Sequence, residues 1–416
     1  MPAFNTPRRL ILLLSTLGVF GILPNSSFPA LVPDFIAAWQ LSNAEAGWIA
    51  GIYYLGYMLS VATAMWLTDR LDAKWVFLTG CLLAGGSTLV FAFLADGFWS
   101  ALLLRGIAGI GHAAIYMPGL RALTDRVAAL PQGSGSALQS RAVTIYTASY
   151  SISIAVSFTA TGLLSEWFGW RVSFAVIGAL AALPGLLTWR LLADLPPPNA
   201  AQKPRMDWRP VFRNRAALGY IIAYGAHGFE LLAMRTWLTA FLVFVLARDP
   251  VVAAWLPGPT LLAAFVTLIG LPASLLGNEV ALKIGRRRAL ILIMSISGLM
   301  GLVYGFTAAL PLLLVLVFMS IYFIFICGDS GALTAGMMAA ADPAARGATM
   351  AVHSIFGFGA SVLGPLCVGL ALDAAQPVYG DGVLAWGLGL GVMGLGALLG
   401  PLALWWAGRS PLSGAR

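Results

Sequence analysis

The sequence predicts an all-α integral membrane protein with twelve transmembrane helices in two pseudo-symmetric six-helix bundles. Three observations carry this. Of 416 residues, 60% are hydrophobic and only 10% charged, against about 25% charged in soluble domains, so water could not solvate the surface of such a chain. Apolar runs of about 18–25 residues recur along the whole length, each long enough at about 1.5 Å per residue to cross about 30 Å of hydrocarbon. A hydrophilic, helix-breaking stretch divides the runs into two sets of six.

The first run follows Arg8 and Arg9, as a secretory signal would. It extends over roughly 10–33, beyond the roughly 7–15 apolar residues of a signal core, and reads as a retained helix. The next five are expected at 44–68, 75–95, 98–120, 140–164 and 171–193. Residues 194–215 form a linker with Pro196-Pro197-Pro198, Lys203, Arg205, Arg209, Arg213 and Arg215, too polar and proline-rich to continue a span. Six more helices are expected at 216–246, 256–282, 289–309, 311–338, 346–372 and 383–407. The expected domains are thus 1–193, the cytoplasmic linker 194–215, and 216–416.

A net charge of +8 would suggest nucleic acid in a soluble protein, but here the basic residues sit in short loops and report topology. With the N-terminus inside, Arg171 and Arg248 fall outside, Arg105 and Arg235 fall within helices, and the remaining 20 of the 24 basic residues lie on the cytoplasmic side. Both termini are therefore expected in the cytoplasm of a bacterial-type inner membrane. Cys81, Cys327 and Cys367 lie in separate apolar runs without metal-ligand spacing, so neither disulfide, metal nor cofactor is expected.

The halves echo each other. Thr68-Asp69-Arg70-Leu71-Asp72-Ala73-Lys74 follows the second helix and Lys283-Ile284-Gly285-Arg286-Arg287-Arg288 the eighth. Duplicated halves are a recurring plan of secondary transporters, with the solute held near the midplane. On the fourth helix Arg105-Gly106-Ile107-Ala108-Gly109-Ile110-Gly111 forms an R-x-x-x-G-x-G pattern.

With these motifs the chain resembles the major facilitator superfamily over nearly its full length. Against the family's loop motif, G-x-L-a-D-r-x-G-r-[RK], Asp69, Arg70 and Lys74 align, while Met65 and Asp72 stand where it has glycines. In the second half Gly285, Arg286 and Arg287 align, but Leu282 holds the acid position, with Glu279 nearby. The resemblance implies that Asp69, Arg70, Lys74, Arg286 and Arg287 belong to a cytoplasmic gating loop. The plain alternative is a positive-inside stop signal. It also associates Arg105 with proton coupling, a hydrogen-bond anchor being the structural alternative. The family's Gly-Pro antiporter pair is absent from the fifth helix, and Gly364-Pro365 lies on the eleventh instead.

Buried chemistry concentrates on few helices. Arg105 and His112 lie on the fourth, His227, Glu230 and Arg235 on the seventh, Asp329 on the tenth and His353 on the eleventh. Charge inside a bilayer costs at least about 2.5–3.5 kcal/mol on insertion scales, so these groups should face water or one another. In the family, helices one, four, seven and ten surround the cavity. Arg105, His112, His227, Glu230 and Arg235 are therefore the candidates for solute binding or proton coupling. His227 and Glu230 share a face at i, i+3 and are expected to pair. Asp329 and His353 form a secondary relay candidate. Tyr57, Tyr146 and Tyr150 are candidates for lining the cavity.

The function expected is secondary active transport of a small solute, an organic anion or zwitterion, by alternating access with proton coupling, in a chain that works as a monomer. Proton-driven efflux of amphipathic compounds is the nearest alternative. A membrane-embedded enzyme lacks any nucleophile triad, metal cluster or phosphate loop here. A non-transporting receptor would bind without accumulating solute.

Overall fold

The computed structural model describes residues 6–130, 135–195 and 207–408. Pro196-Pro197-Pro198, Lys203 and Arg205 of the expected linker lie outside the described residues. Among those described, twelve helices are long and apolar enough to span a membrane. The first six are Pro7–Ala30, Asn43–Thr68, Ala73–Leu94, Phe98–Ala128, Leu138–Phe168 and Trp170–Leu191. The second six are Arg215–Arg248, Pro259–Ile284, Arg286–Ala309, Leu312–Ala340, Arg346–Tyr379 and Val383–Ala407. Large apolar side chains, among them Leu59, Phe93, Leu103, Leu276 and Leu402, are exposed. In a chain so poor in charge, this surface is one that lipid covers.

Several spans are interrupted, and proline explains most of the interruptions. A proline has no N–H for the carbonyl four residues back. Pro272 leaves Leu268 without its partner and Pro401 does the same to Ala397, and the eighth and twelfth spans break at these carbonyls, after Leu268 and Ala397. The first span breaks into Pro7–Gly21 and Pro24–Ala30, the second piece beginning on its own proline. The tenth span differs, because no proline accounts for its break. Leu312–Gly328 ends and Ser330–Ala340 begins with Asp329 between them. Gly277 of the eighth span presses on the Gly328 carbonyl so closely that any side chain there would collide with it.

The chain divides into two compact units. Unit 1 comprises Met1–Leu31 and Leu55–Lys203, and unit 2 comprises Val32–Tyr54 and Pro204–Arg416. In unit 1 the broken first span packs its Leu10, Leu14 and Leu17 against Phe77, Ile115 and Tyr146. The R-x-x-x-G-x-G pattern contributes here through Gly111, whose missing side chain lets the third span's Ala84 backbone approach directly.

Unit 2 includes a short helix absent from the sequence expectation, Val32–Trp39, and the first turns of the second span. A side chain of the eleventh span binds that segment. Asp373 accepts from the Asn43 backbone and side-chain nitrogens at 2.9 and 2.8 Å and from the Ala44 backbone at 2.9 Å, so it caps the second span's N-terminus from another helix.

Candidate functional site

The seventh span supplies most of the buried charge of unit 2. From Leu232 through Leu242 every residue is buried, so its polar side chains must find partners inside the protein. His227 does so across the unit: its Nδ1 lies 2.7 Å from Asp329 Oδ1, with Asp329 completely buried at the break of the tenth span. The break gives the carboxylate its place, because it interrupts the helix at the point where Asp329 meets His227.

Glu230 takes different partners from those the helical spacing suggested. Its Oε1 accepts hydrogen bonds from Ser297 of the ninth span and Tyr322 of the tenth, both at 2.8 Å. The expected His227–Glu230 pair is therefore replaced by two separate pairings. At i, i+3 both side chains share a face, but each reaches a neighbouring span rather than the other. His353, placed by sequence in a secondary relay, joins the same cluster: Tyr224 stacks on His353 at 3.9 Å between centroids and on His227 at 5.7 Å. Two histidines, two carboxylates and two tyrosines are thus gathered on three spans, with Ser297 from a fourth, a set able to accept, hold and release protons.

Arg235 is buried, at 8% exposure, and forms no hydrogen bond or ion pair with another described residue. One turn on, Thr239 is also buried and its hydroxyl has no partner among the described residues.

In unit 1 Arg105 is also buried, but its guanidinium donates to the carbonyls of Pro24 and Asn25. These carbonyls lie where the first span restarts, so Arg105 ties the fourth span to that break. His112 lies on the same face, its Nδ1 3.5 Å from the Asn25 amide nitrogen. Its ring is edge-on to Tyr57 at 5.2 Å and stacked with Tyr150 at 6.0 Å. Tyr146, read as a cavity residue, is packed in the unit 1 core, with its hydroxyl on the Ile115 carbonyl at 3.3 Å. Tyr57 is buried and Tyr150 half-buried.

A Major Facilitator Superfamily profile matches residues 10–365. The chain belongs to the Major Facilitator Superfamily. It is therefore a multi-pass membrane protein of a transporter family and not an enzyme. Among relatives, it is 23% identical over 178 residues to the niacin transporter NiaP of Acinetobacter baylyi, a region covering 43% of this chain and 38% of that one. It is 22% identical over 297 residues to protein spinster homolog 1 of Homo sapiens, covering 67% of this chain and 54% of that one. The match thus spans only 38% and 54% of these two relatives' lengths. Among solved structures, the fold superposes on a bacterial homolog of the human lysosomal transporter Spinster, in an inward-facing and occupied conformation. There the TM-score is 0.77 and the identity 16%, over 97% of each chain.

The superfamily loop after the second span is a network of ion pairs. Asp69 receives Arg121 at 2.6 Å, and Arg70 lies over the Trp66 ring at 3.7 Å. Asp72, at a position where the motif has glycine, is the hub that sequence reading passed over. It pairs with Arg126 through both oxygens at 3.1 and 2.7 Å, accepts from the Leu195 backbone at 2.8 Å and caps the third span through the Lys74 backbone at 3.0 Å. Lys74 donates to the Leu192 carbonyl and pairs with Asp194, both at 2.8 Å. Hydrogen-bonded to this ammonium, Asp194 has its carboxyl held below the usual carboxylate range. The corresponding loop of the second half works differently. Arg287 donates to the Leu404 and Trp405 carbonyls at 2.9 and 3.1 Å, and Arg215 to Trp406 at 2.7 Å, closing the C-terminus of the twelfth span. Arg286 is half-buried, its Nε without a partner among the described residues, and Glu279 is exposed.

Proposed function

We propose that this chain moves a small organic anion or zwitterion by alternating access, coupled to protons through the His227–Asp329 pair and Glu230. The moving halves in this reading are 1–193 and 216–416, with both termini cytoplasmic. The observation that carries it is the cluster itself. His227 and Asp329 stand 2.7 Å apart, and Glu230 is held by Ser297 and Tyr322, all inside membrane spans where unproductive charge is costly. NiaP, by its name a carrier of a small molecule, lends the family context.

Proteoliposomes containing a pH-sensitive dye test the coupling. Adding a transported solute should produce a proton flux in the wild type, and Glu230→Gln should abolish that flux while solute binding survives. Undiminished proton-linked uptake in Glu230→Gln sinks the coupling assignment.

A second reading, proton-driven efflux of amphipathic compounds, is favoured by one feature. An apolar groove of about 470 Å³ in unit 2 is lined by Ile222, Phe229, Phe356, Ala360, Leu363 and Leu395. Filling it with Phe229→Trp or Ala360→Phe should impair transport if the solute lies there, and leave a polar solute's transport intact if it does not.

A further inference from the structure

Arg235 and Thr239 present a form of unsatisfied chemistry that the proton cluster does not use. A buried guanidinium carries five N–H donors in a rigid fork and keeps its charge at all accessible pH values. Within a span water reaches it only where a cavity opens, so a protein retains it where a cavity or a partner meets it. Arg105, buried to a similar degree, meets two carbonyls. Arg126 meets a carboxylate through both of its terminal nitrogens and a carbonyl besides. Arg235 forms no hydrogen bond or ion pair with a described residue, although it is more than nine-tenths buried.

Thr239 stands four residues further on and therefore on the same helical face, one turn along. It is 3% exposed and its hydroxyl has no partner among the described residues. Two adjacent groups, one cationic and one hydroxylic, are thus buried together with hydrogen-bonding capacity to spare. The complementary partner is an oxyanion: a planar group accepting two parallel N–H bonds from the guanidinium and one O–H bond from the threonine. The other arginines of unit 2 that form hydrogen bonds are engaged at helix ends, Arg248 on the Ala308 carbonyl and Arg215 and Arg287 on the twelfth span. A single fixed positive charge matches a single negative charge, which favours a carboxylate over a doubly charged phosphate.

We propose that Arg235 and Thr239 form the subsite that receives the carboxylate of a monocarboxylate solute. This inference rests on the transport reading above and narrows its substrate class.

The test is thermal stabilisation of the purified full-length protein by a panel of monocarboxylates of graded size, each paired with its neutral amide and run beside sodium chloride and methyl phosphate. A ligand that binds the native state raises Tm. At least one acid should raise Tm while its amide does not. Its apparent Kd should weaken about tenfold or more in Arg235→Gln, as expected for lost charge-assisted bonds. Arg235→Lys should restore part of the loss, and Thr239→Val should weaken binding less. If Arg235→Gln does not fold, Arg235→Lys and Thr239→Val still carry the comparison. The proposal is overturned if amides stabilise as well as acids, if methyl phosphate outranks every carboxylate, if chloride alone reproduces the shift, or if no compound gives a shift that these variants reduce. Glu230→Gln separates the two readings. Should it retain both acid binding and proton-linked uptake, the coupling assignment falls while the carboxylate subsite stands.

Discussion

Arg105 in unit 1 and Arg235 in unit 2 each place a guanidinium inside an apolar run, Arg105 within the R-x-x-x-G-x-G pattern and Arg235 outside any motif. Their surroundings are opposite. Arg105 is held by the fold, both terminal nitrogens donating to the carbonyls of a broken helix, whereas Arg235 is packed against the fold with no hydrogen bond or ion pair to a described residue. Arg126 extends the series, with a full carboxylate pairing at the edge of unit 1. Burial alone therefore does not mark a functional charge. The distinguishing property is whether the protein itself completes the hydrogen bonds.

Substitutions by methionine, which keeps much of the side-chain volume, would grade this series. Arg126→Met should be the most damaging, because it leaves Asp72 buried with its principal counter-charge gone, at a cost of about 3–5 kcal/mol. It would be read as a large drop in Tm and in yield of folded protein. Arg105→Met should cost about 2–4 kcal/mol, since the Pro24 and Asn25 carbonyls lose bonds to a charged donor worth about 1.5–3 kcal/mol each and partly recover them elsewhere. In the ligand-free protein Arg235→Met should leave Tm unchanged or raise it, because it removes a charge whose hydrogen bonds the fold does not supply. A Tm loss for Arg235→Met equal to that for Arg105→Met would erase the contrast.

The smallest effect belongs to the exposed end of the unit 1 network. Asp194→Asn should shift Tm only slightly at neutral pH, as for other solvent-exposed pairs. The sign with pH follows from the depressed carboxyl. Its contribution is complete above the unperturbed value of 3.8 and fades as pH falls below that toward the lower folded value. A pH titration of Tm for the wild type and Asp194→Asn should therefore converge in acid.

The membrane architecture was legible because hydrocarbon imposes a length and a composition on every span, and the twelve apolar runs expected from them match the twelve spans. The site was legible only as an inventory. His227, Glu230, Asp329 and His353 stood out as ionisable groups in apolar runs, but the helical rule that paired His227 with Glu230 describes neighbours on one helix, and both partners came from other spans. Ser297 and Tyr322 were overlooked because buried chemistry was sought among arginine, histidine and the carboxylates, and tyrosines were weighed only as cavity lining, although a hydroxyl can hold a buried carboxylate equally well. Tyr322 lies seven residues before Asp329, on nearly the same face of the tenth span, which was the available clue. Asp72 was passed over as a departure from a glycine position, where its carboxylate proved to be the centre of the network.

The arginines that close the twelfth span bear on the order in which unit 2 can be built. Arg215 precedes the Trp406 carbonyl it binds by 191 residues, and Arg287 precedes Leu404 by 117. As synthesis runs from the N-terminus, both cations enter the membrane region well before the carbonyls they will cover. Until the twelfth span arrives, the two arginines have none of the carbonyls that they cover in the folded unit. The twelfth span is thus what locks the seventh and ninth spans at that end, and a nascent chain halted before it would carry two cations without the carbonyls they cover.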